Sequence, residues 1–382
     1  MGLRRGPLTG SDRFDAVVIG GGPAGAAAAT AIARAGARVA LISARRRPQR
    51  CTKRGETLSP ASAPVLDRLG FRRAIDRLRF PPATGFLSAW GAPDPVHRSA
   101  MLLAGENTLL LDRPALDAAL AAAAAKANVE LISAEATVVK NDGSWWEIQL
   151  NGRRAIRGAF LIDASGRGAR FMRRLGAELI VVDKLVAVAA SISRDADVAD
   201  HAVRVQALEG GWIYTVPETS GTRYVAFFTD GDLLRDRTKT SARCLLAAAV
   251  RRAPVVHAVI PCESWRTLRP RIVTAASAAL VCAHGPRIVA VGDAAQTLDP
   301  LSSQGIAAAL EDGESAGIAV VRDLCGEETA LREHEWLRRK RIVEYLRKRL
   351  RYYSLEQRWE NFCFWTRRRD VTSLARLASG FR

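Results

Sequence analysis

The run FDAVVIGGGPAGAAAATAIARAGARVALIS, residues 14–43, constrains the chain more than any other stretch. Its first residues are a short apolar run closed by glycine, which suits a buried parallel strand. PAGAAAATAIARAG follows as an alanine-rich helix that Gly36 stops. ARVALIS then reads as a second buried strand. Strand, turn, helix and strand within about thirty residues form a βαβ unit, and GGGPAG (20–25) falls where the first strand turns into the helix. At that place Gly20 allows a tight turn, Gly22 lets the backbone approach a pyrophosphate, and Gly25 lets helix and strand pack closely. Pro23 and Ala24 open the helix, whose N-terminal amides and dipole hold phosphates. The unit reads as dinucleotide-binding, with a ligand-free tight turn as the alternative.

A chain of 382 residues is long for one core, so two domains sharing a cleft are expected. After Ser43 comes a charged loop, then a helical pattern over LSPASAPVLDRLG. LDRPALDAALAAAAAKA is a second helix, with Asp112 placed to cap it and Pro114 in its first turn. Short strands follow to residue 166, with NDG (141–143) as a turn between two of them. Residues 184–230 alternate as a half-exposed antiparallel sheet does, 241–253 is helical, and PRIVAVGDAA returns to a buried strand. A helix over 302–324 and a long basic one over 328–353 close the pattern. This order gives an α/β chain with two interleaved domains. A dinucleotide-binding domain takes residues 14–83, 112–178 and 271–325; an antiparallel-sheet domain takes 84–111 and 179–270; and 326–382 is a basic helical C-terminal segment.

The formal net charge is +18 and uneven. Six basic residues and no acid lie between Arg45 and Arg54, and 15 basic residues face 7 acidic ones between Glu328 and Arg382. Such a field attracts anions or acidic proteins, or it is simply a solvated arginine-rich surface. No zinc-finger or RNP pattern appears, so nucleic acid is not an expected partner. None of the six cysteines is spaced CxxC, which signals neither a metal site nor a redox dithiol. Buried thiols in a reducing cytoplasm are expected. No run of about 20 apolar residues exists, so no transmembrane segment is expected, and the basic N-terminus reads as a frayed arm.

Two more signatures, LIDASGRGAR (161–170) and VGDAAQTLDPLSSQGIAAALEDG (291–313), lie far from the first. Together the three resemble the FAD-dependent monooxygenase superfamily of the aromatic-hydroxylase type, including its tryptophan-halogenase-like branch. The resemblance covers residues 14–325 and implies a Rossmann-type FAD-binding domain interleaved with a substrate domain. It further implies that Asp163–Gly166 ends a strand against the dinucleotide fold, that Asp163, Gly166 and Gly292 bind the cofactor, that the Asp293 carboxylate accepts a hydrogen bond from the ribityl chain, and that Arg113 reaches the FAD phosphates. Pro300, Ser303, Gln304 and Gly305 lead into a helix whose N-terminal amides face the flavin pyrimidine edge, where they favour negative charge on the reduced ring. One departure is Ser43, which stands where the family has an acid gripping the adenosine ribose. The arginines at 45–47 could instead suit a 2′-phosphate, but the other two signatures favour FAD, reduced by NAD(P)H or by a separate flavin reductase.

CTKRGETLSP resembles the halogenase-like loop that lies against the flavin; its Glu56 is either a functional acid or the ion-pair partner of Arg54 or another base. FRRAIDRLRFPPATGFLSAWG (71–91) lacks the lysine with which the halogenases handle hypohalous acid, and GGWIYTVP keeps only Trp212 and Pro217 of their Trp-x-Trp-x-Ile-Pro element. Hydroxylation of an aromatic ring through a flavin C4a-hydroperoxide is therefore implied ahead of halogenation. That chemistry asks the protein to bind a ring, exclude water and, where needed, deprotonate it. Trp212, Tyr214, Phe227 and Phe228 are the candidate pocket residues, with Glu56 and Asp299 as candidate bases. RYYSLEQRWENFCFWTRRR (351–369) is expected to be a helix packing its aromatic face on the first domain. It resembles tails of flavoproteins that mature tryptophan-derived quinone cofactors, which implies an acidic partner protein as substrate. An aromatic small molecule as hydroxylation substrate, a flavin-dependent halogenase, a geranylgeranyl-reductase-like activity and a non-enzymatic flavin-fold binding protein are the other readings.

Overall fold

The computed structural model describes residues 12–44, 54–99, 108–151, 154–193, 200–235, 241–260 and 268–372. The arginines at 45–47, the N-terminal arm, Cys51 and Cys262 lie outside these residues. The helices that matter to the site are α1 (Pro23–Arg34), α2 (Arg113–Lys126), α3 (Ala242–Arg251), α4 (Gly305–Leu324), α5 (Ala330–Ser354) and α6 (Cys363–Arg369).

The first sheet is built on four parallel pairings. Ile288–Ala290, Ala155–Asp163, Arg13–Ile19, Val39–Ile42 and Glu130–Ile132 lie side by side in that order, and the hairpin 136–150 joins it antiparallel through Ala155–Asp163. Val17, Val18, Leu41, Leu161 and Val289 are all essentially inaccessible, because a parallel sheet is covered on both faces. The register sets Ile19 against both Ile42 and Asp163, and Asp163 against Ala290. The three sequence signatures therefore leave the sheet at one edge, its carboxyl edge, side by side. α1 is buried along most of its length, and its small residues admit α4: a Cβ on Gly313 would stand 2.2 Å from the Ala24 carbonyl oxygen.

The second sheet runs Arg271–Thr274, Leu185–Ser193, Thr222–Asp230, Gly211–Pro217, Val203–Leu208, Gly85–Ala89, Val96–Ser99, antiparallel except where Val203–Leu208 meets Gly85–Ala89. Arg271–Thr274 thus pairs in the second sheet, and the chain crosses back only after it. Alternation divides this sheet into two faces. Val188, Ile213, Val225 and Phe227 pack toward α3, while Ala187, Trp212, Ala226 and Phe228 face the other way.

The C-terminus differs from expectation. The helix does not continue through residue 369: α5 ends at Ser354 and the short α6 begins at Cys363. Its aromatic residues pack on the second sheet rather than the first domain, Tyr353, Phe364 and Trp365 clustering with Trp212 and Phe228. Specific polar contacts dictate the choice. Trp365 Nε1 donates to the carbonyls of Leu208 and Glu209, and Arg368 forms a buried pair with Asp230 at 2.8 Å. The thiols also differ: Cys244, Cys325 and Cys363 are exposed and Cys282 half-buried, all free. Among the described residues no helix is long and apolar enough to cross a membrane, and no cluster of three or more His, Cys, Asp or Glu could hold a metal ion.

Candidate active site

A cleft opens between the carboxyl edge of the first sheet and the second sheet, with about 1390 Å³ of empty space counting its mouth. Two helices point their N-termini into it. Gly22 caps α1 and Gln304 caps α4, neither with a side-chain hydrogen bond, and neither helix has an acid in its first turn. Their leading amides are thus left for a ligand, and both dipoles favour negative charge.

The glycines of the first turn divide by what surrounds them. Gly20 has φ +124°, and a Cβ there would stand 2.1 Å from the Ala164 oxygen; one on Gly25 would stand 1.9 Å from the Gly20 oxygen. Both serve the fold. Gly22 has an ordinary φ of −83°, and the atom nearest to its Cβ position is Arg113 Nη2 at 3.8 Å. Gly166 and Gly305 line the same cleft with nothing within 4 Å of theirs. Backbone left bare on the cleft side, at two uncapped helix ends, fits an elongated ligand that carries phosphates and a flat ring. FAD meets that description.

Arg113 is 5 % exposed, donates to Glu56 Oε2 at 2.6 Å and to Asp117 Oδ1 at 2.8 Å, and lines the cleft beside Gly22. Burial alone would lower its pKa, but the two carboxylates outweigh it and raise it, so it stays cationic. The partner of Glu56 is therefore Arg113. The loop that carries Glu56 is clamped to the second sheet. Tyr214 Oη donates to the Gly55 carbonyl at 2.9 Å, and Gly55, at φ +66°, lies against the Tyr224 ring, where a Cβ would come within 2.1 Å of the ring. Burial pushes both phenols well above their usual pKa, so both stay neutral and Tyr214 keeps the proton it donates.

Ser43 sits at the exposed end of its strand, its Oγ 2.6 Å from the Cβ position of Gly21. Asp293, Pro300 and Ser303 line the cleft, and Arg167 approaches Asp293 at 3.9 Å. Gly292 lies behind them at φ +59°, its N–H held by buried Asp312 at 2.7 Å. Asp163 does not reach the cleft: its carboxylate accepts the backbone N–H groups of Ser165, Phe171 and Met172, each at 3.0 Å. Gln304 is exposed and is not among the residues that line the cleft.

Trp212, Tyr214 and Phe228 form the aromatic wall opposite the helix ends, with the Trp212 and Phe228 rings stacked 3.9 Å apart. Phe227 is not part of it. Neighbouring strand residues face opposite ways, so Phe227 packs toward α3. Tyr224 takes the place expected of Phe227; stepping back two residues at a time from Phe228 along its strand reaches Ala226 and then Tyr224 on the same face. Asp299 borders the cleft but is 1 % exposed, and its oxygens accept from Leu301 N, Tyr353 Oη and Arg349 Nε. A carboxylate so engaged caps a turn and is poorly placed to take a substrate proton.

Residues 13–342 match the FAD binding domain family. Over 372 residues, 95 % of this chain and 99 % of the relative, the protein is 29 % identical to the putative FAD-dependent oxidoreductase LodB of Marinomonas mediterranea. It is 26 % identical to the tryptophan 2-halogenase of Chondromyces crocatus, over 92 % of this chain and 69 % of that protein. Among solved structures it superposes with a TM-score of 0.79 on QhpG, a peptidyl tryptophan dihydroxylase essential for tryptophylquinone cofactor biogenesis, at 23 % identity over 94 % of this chain and 79 % of that one. The family match runs through both sheets and ends within α5, so the chain belongs to the FAD binding domain family and is an FAD-dependent oxidoreductase.

Proposed function

We propose that the protein is a monooxygenase that hydroxylates an aromatic ring, and that the ring is a tryptophan side chain of an acidic partner protein during quinone-cofactor biogenesis. The observation that carries this reading is the cleft itself. A wall of Trp212, Tyr214, Tyr224 and Phe228 faces two uncapped helix ends, and its described lining includes arginines but no lysine. The lysine that halogenation calls for is absent here and from residues 71–91. The fold shared with QhpG, a peptidyl tryptophan dihydroxylase, supports the protein-substrate reading, and the similarity to LodB over nearly the whole of both chains supports FAD-dependent oxidoreductase chemistry.

Bound FAD would supply oxygen activation. The amides ahead of α1, beside Gly22, would hold its phosphates, with the Arg113 cation behind them. Asp293 would meet its ribityl chain, and the α4 N-terminus would favour negative charge on its ring. Trp212, Tyr214 and Phe228 would pack the substrate ring and exclude water. The carboxylate of Glu56 balances Arg113 rather than taking a proton. NAD(P)H or a separate flavin reductase would supply electrons. Three exposed free thiols suit a reducing cytoplasm.

The test is to load the protein with FAD, supply reductant, and add candidate acceptor proteins encoded beside it, with and without halide. Mass spectrometry should find oxygen added to an acceptor tryptophan whether or not halide is present. Halogen incorporation, or reduction of an isoprenoid in a parallel assay, would overturn the reading.

A further inference from the structure

Trp212 belongs to the second sheet and Asp299 to the turn ahead of α4, and one side chain joins them. Trp212 Nε1 donates to Tyr353 Oη at 2.9 Å, and Tyr353 Oη donates to Asp299 Oδ2 at 2.8 Å. The direction is fixed by chemistry. An indole N–H can only donate and an ionised carboxylate can only accept, so the hydroxyl must accept from one and donate to the other. All three residues are at most 1 % exposed, so water cannot replace a lost partner cheaply.

Each end of this relay has a defined job. Trp212 stacks on Phe228 in the aromatic wall. Asp299 caps the turn Pro300–Ser302, its Oδ1 accepting from Leu301 N at 3.0 Å, and Ser303 follows at φ +50° before α4 begins. The position of the α4 N-terminus therefore depends on Asp299. Two more α5 residues hold it: Tyr345 Oη accepts its backbone N–H, and Arg349 bridges it to Asp183, at 3.2 and 2.9 Å. The Tyr353 ring is fixed in turn by Arg349 and Arg368, their guanidinium carbons 4.9 and 5.3 Å from its centroid, and by Phe364 and Trp365. Tyr353 lies beyond residues 13–342, outside the region shared with the family as a whole.

We propose that Tyr353 is a positioning residue whose hydroxyl locks the aromatic wall at Trp212 to the Asp299 cap ahead of α4. Contact with a ring at the wall is thereby felt at the helix end that faces the flavin. The link to flavin chemistry rests on the reading given under Proposed function; the mechanical link does not. The C-terminal segment is, on this view, part of the active site's frame and not a surface appendage.

The test uses the full-length protein with Tyr353→Phe, Trp212→Phe and the double variant. Hydrogen exchange of 211–217 and of 299–305 is followed without FAD, and the midpoint potential of bound FAD is measured separately. Tyr353→Phe should speed exchange in both segments together by about tenfold, the loss expected from one buried hydrogen bond. Trp212→Phe should do the same from the other end, the double variant should add little, and the single variants should shift the FAD potential in the same direction. The proposal is overturned if Tyr353→Phe lowers thermal stability while exchange at 299–305 and the potential stay at wild-type values, or if the two substitutions simply add. Should Tyr353→Phe not fold, Trp212→Phe alone decides, since it leaves the Tyr353 ring in place. If the wild type takes up no FAD, the flavin reading fails while the exchange result still judges the relay.

Discussion

Gly25 has the Gly20 carbonyl oxygen 1.9 Å from where its Cβ would stand, whereas Gly22 has nothing nearer than Arg113 Nη2 at 3.8 Å. The two positions should fail differently. Gly25→Ala should unfold the turn and abolish FAD uptake together. Gly22→Ala should keep the unfolding free energy of FAD-free protein within about 0.5 kcal/mol of wild type, yet weaken FAD binding at least tenfold in a fluorescence titration. Equal losses of stability at both sites would show that Gly22 also serves only the fold. Phe227 and Phe228 make a second pair. Phe228→Ala should cost about 3–5 kcal/mol and unstack Trp212, with turnover falling sharply. Phe227→Ala should destabilise less, because Phe227 is only partly buried, and leave KM for the acceptor unchanged.

At the level of elements, α6 and the stretch before it are held to the second sheet as much by charge as by aromatic packing. Glu356 accepts the Gly91 N–H at 2.8 Å and pairs with Arg358. Burial would raise its pKa, but Arg358 and the amide outweigh burial and hold it below the usual carboxylate value. A carboxyl whose folded pKa is depressed contributes stability above its unfolded pKa of about 4.3 and loses it as pH falls through the folded value. Glu356→Gln should therefore be less stable than wild type at pH 7 by about 1–2 kcal/mol, with the gap closing on the acid side of the usual carboxylate range. A gap unchanged with pH in denaturant titrations would refute this. Asp232, lowered by Arg367 and Lys184, adds to the same trend.

For the whole molecule, the loop carrying Glu56 and the C-terminal segment are the two straps across the cleft. The first ties Arg113 of the nucleotide domain to Tyr214 and Tyr224 of the second sheet. The second pairs Arg368 with Asp230, which is 1 % exposed. A chain ended after Leu355 should expose Trp212 and leave Asp230 without Arg367 or Arg368. Removing one partner of a buried pair costs about 3–5 kcal/mol, so the truncated protein should aggregate or unfold in two steps when followed by tryptophan fluorescence. A single wild-type-like transition would show the strap to be dispensable.

The cofactor-binding half was legible because its signals are local. A strand that must turn into a helix over phosphates needs glycine at set offsets, and those offsets stand in GGGPAG whatever the rest of the chain does. The helix starts at Asp112 and Pro23 and the alternating strands were readable for the same reason. What lay beyond reach were choices between distant partners. Phe227 and Phe228 are neighbours of equal chemistry, and only the pairing of Trp212 with Phe228 across two strands decides which of them faces the cleft. Asp299 looks like a free acid in DPLSSQG until α5 brings Tyr353 and Arg349 to it. The tail's aromatic residues could cover either domain, and hydrophobic burial, which has no direction, does not choose. The choice falls to directional contacts, Trp365 to the Leu208 and Glu209 carbonyls and Arg368 to Asp230, that exist only once the second sheet has formed.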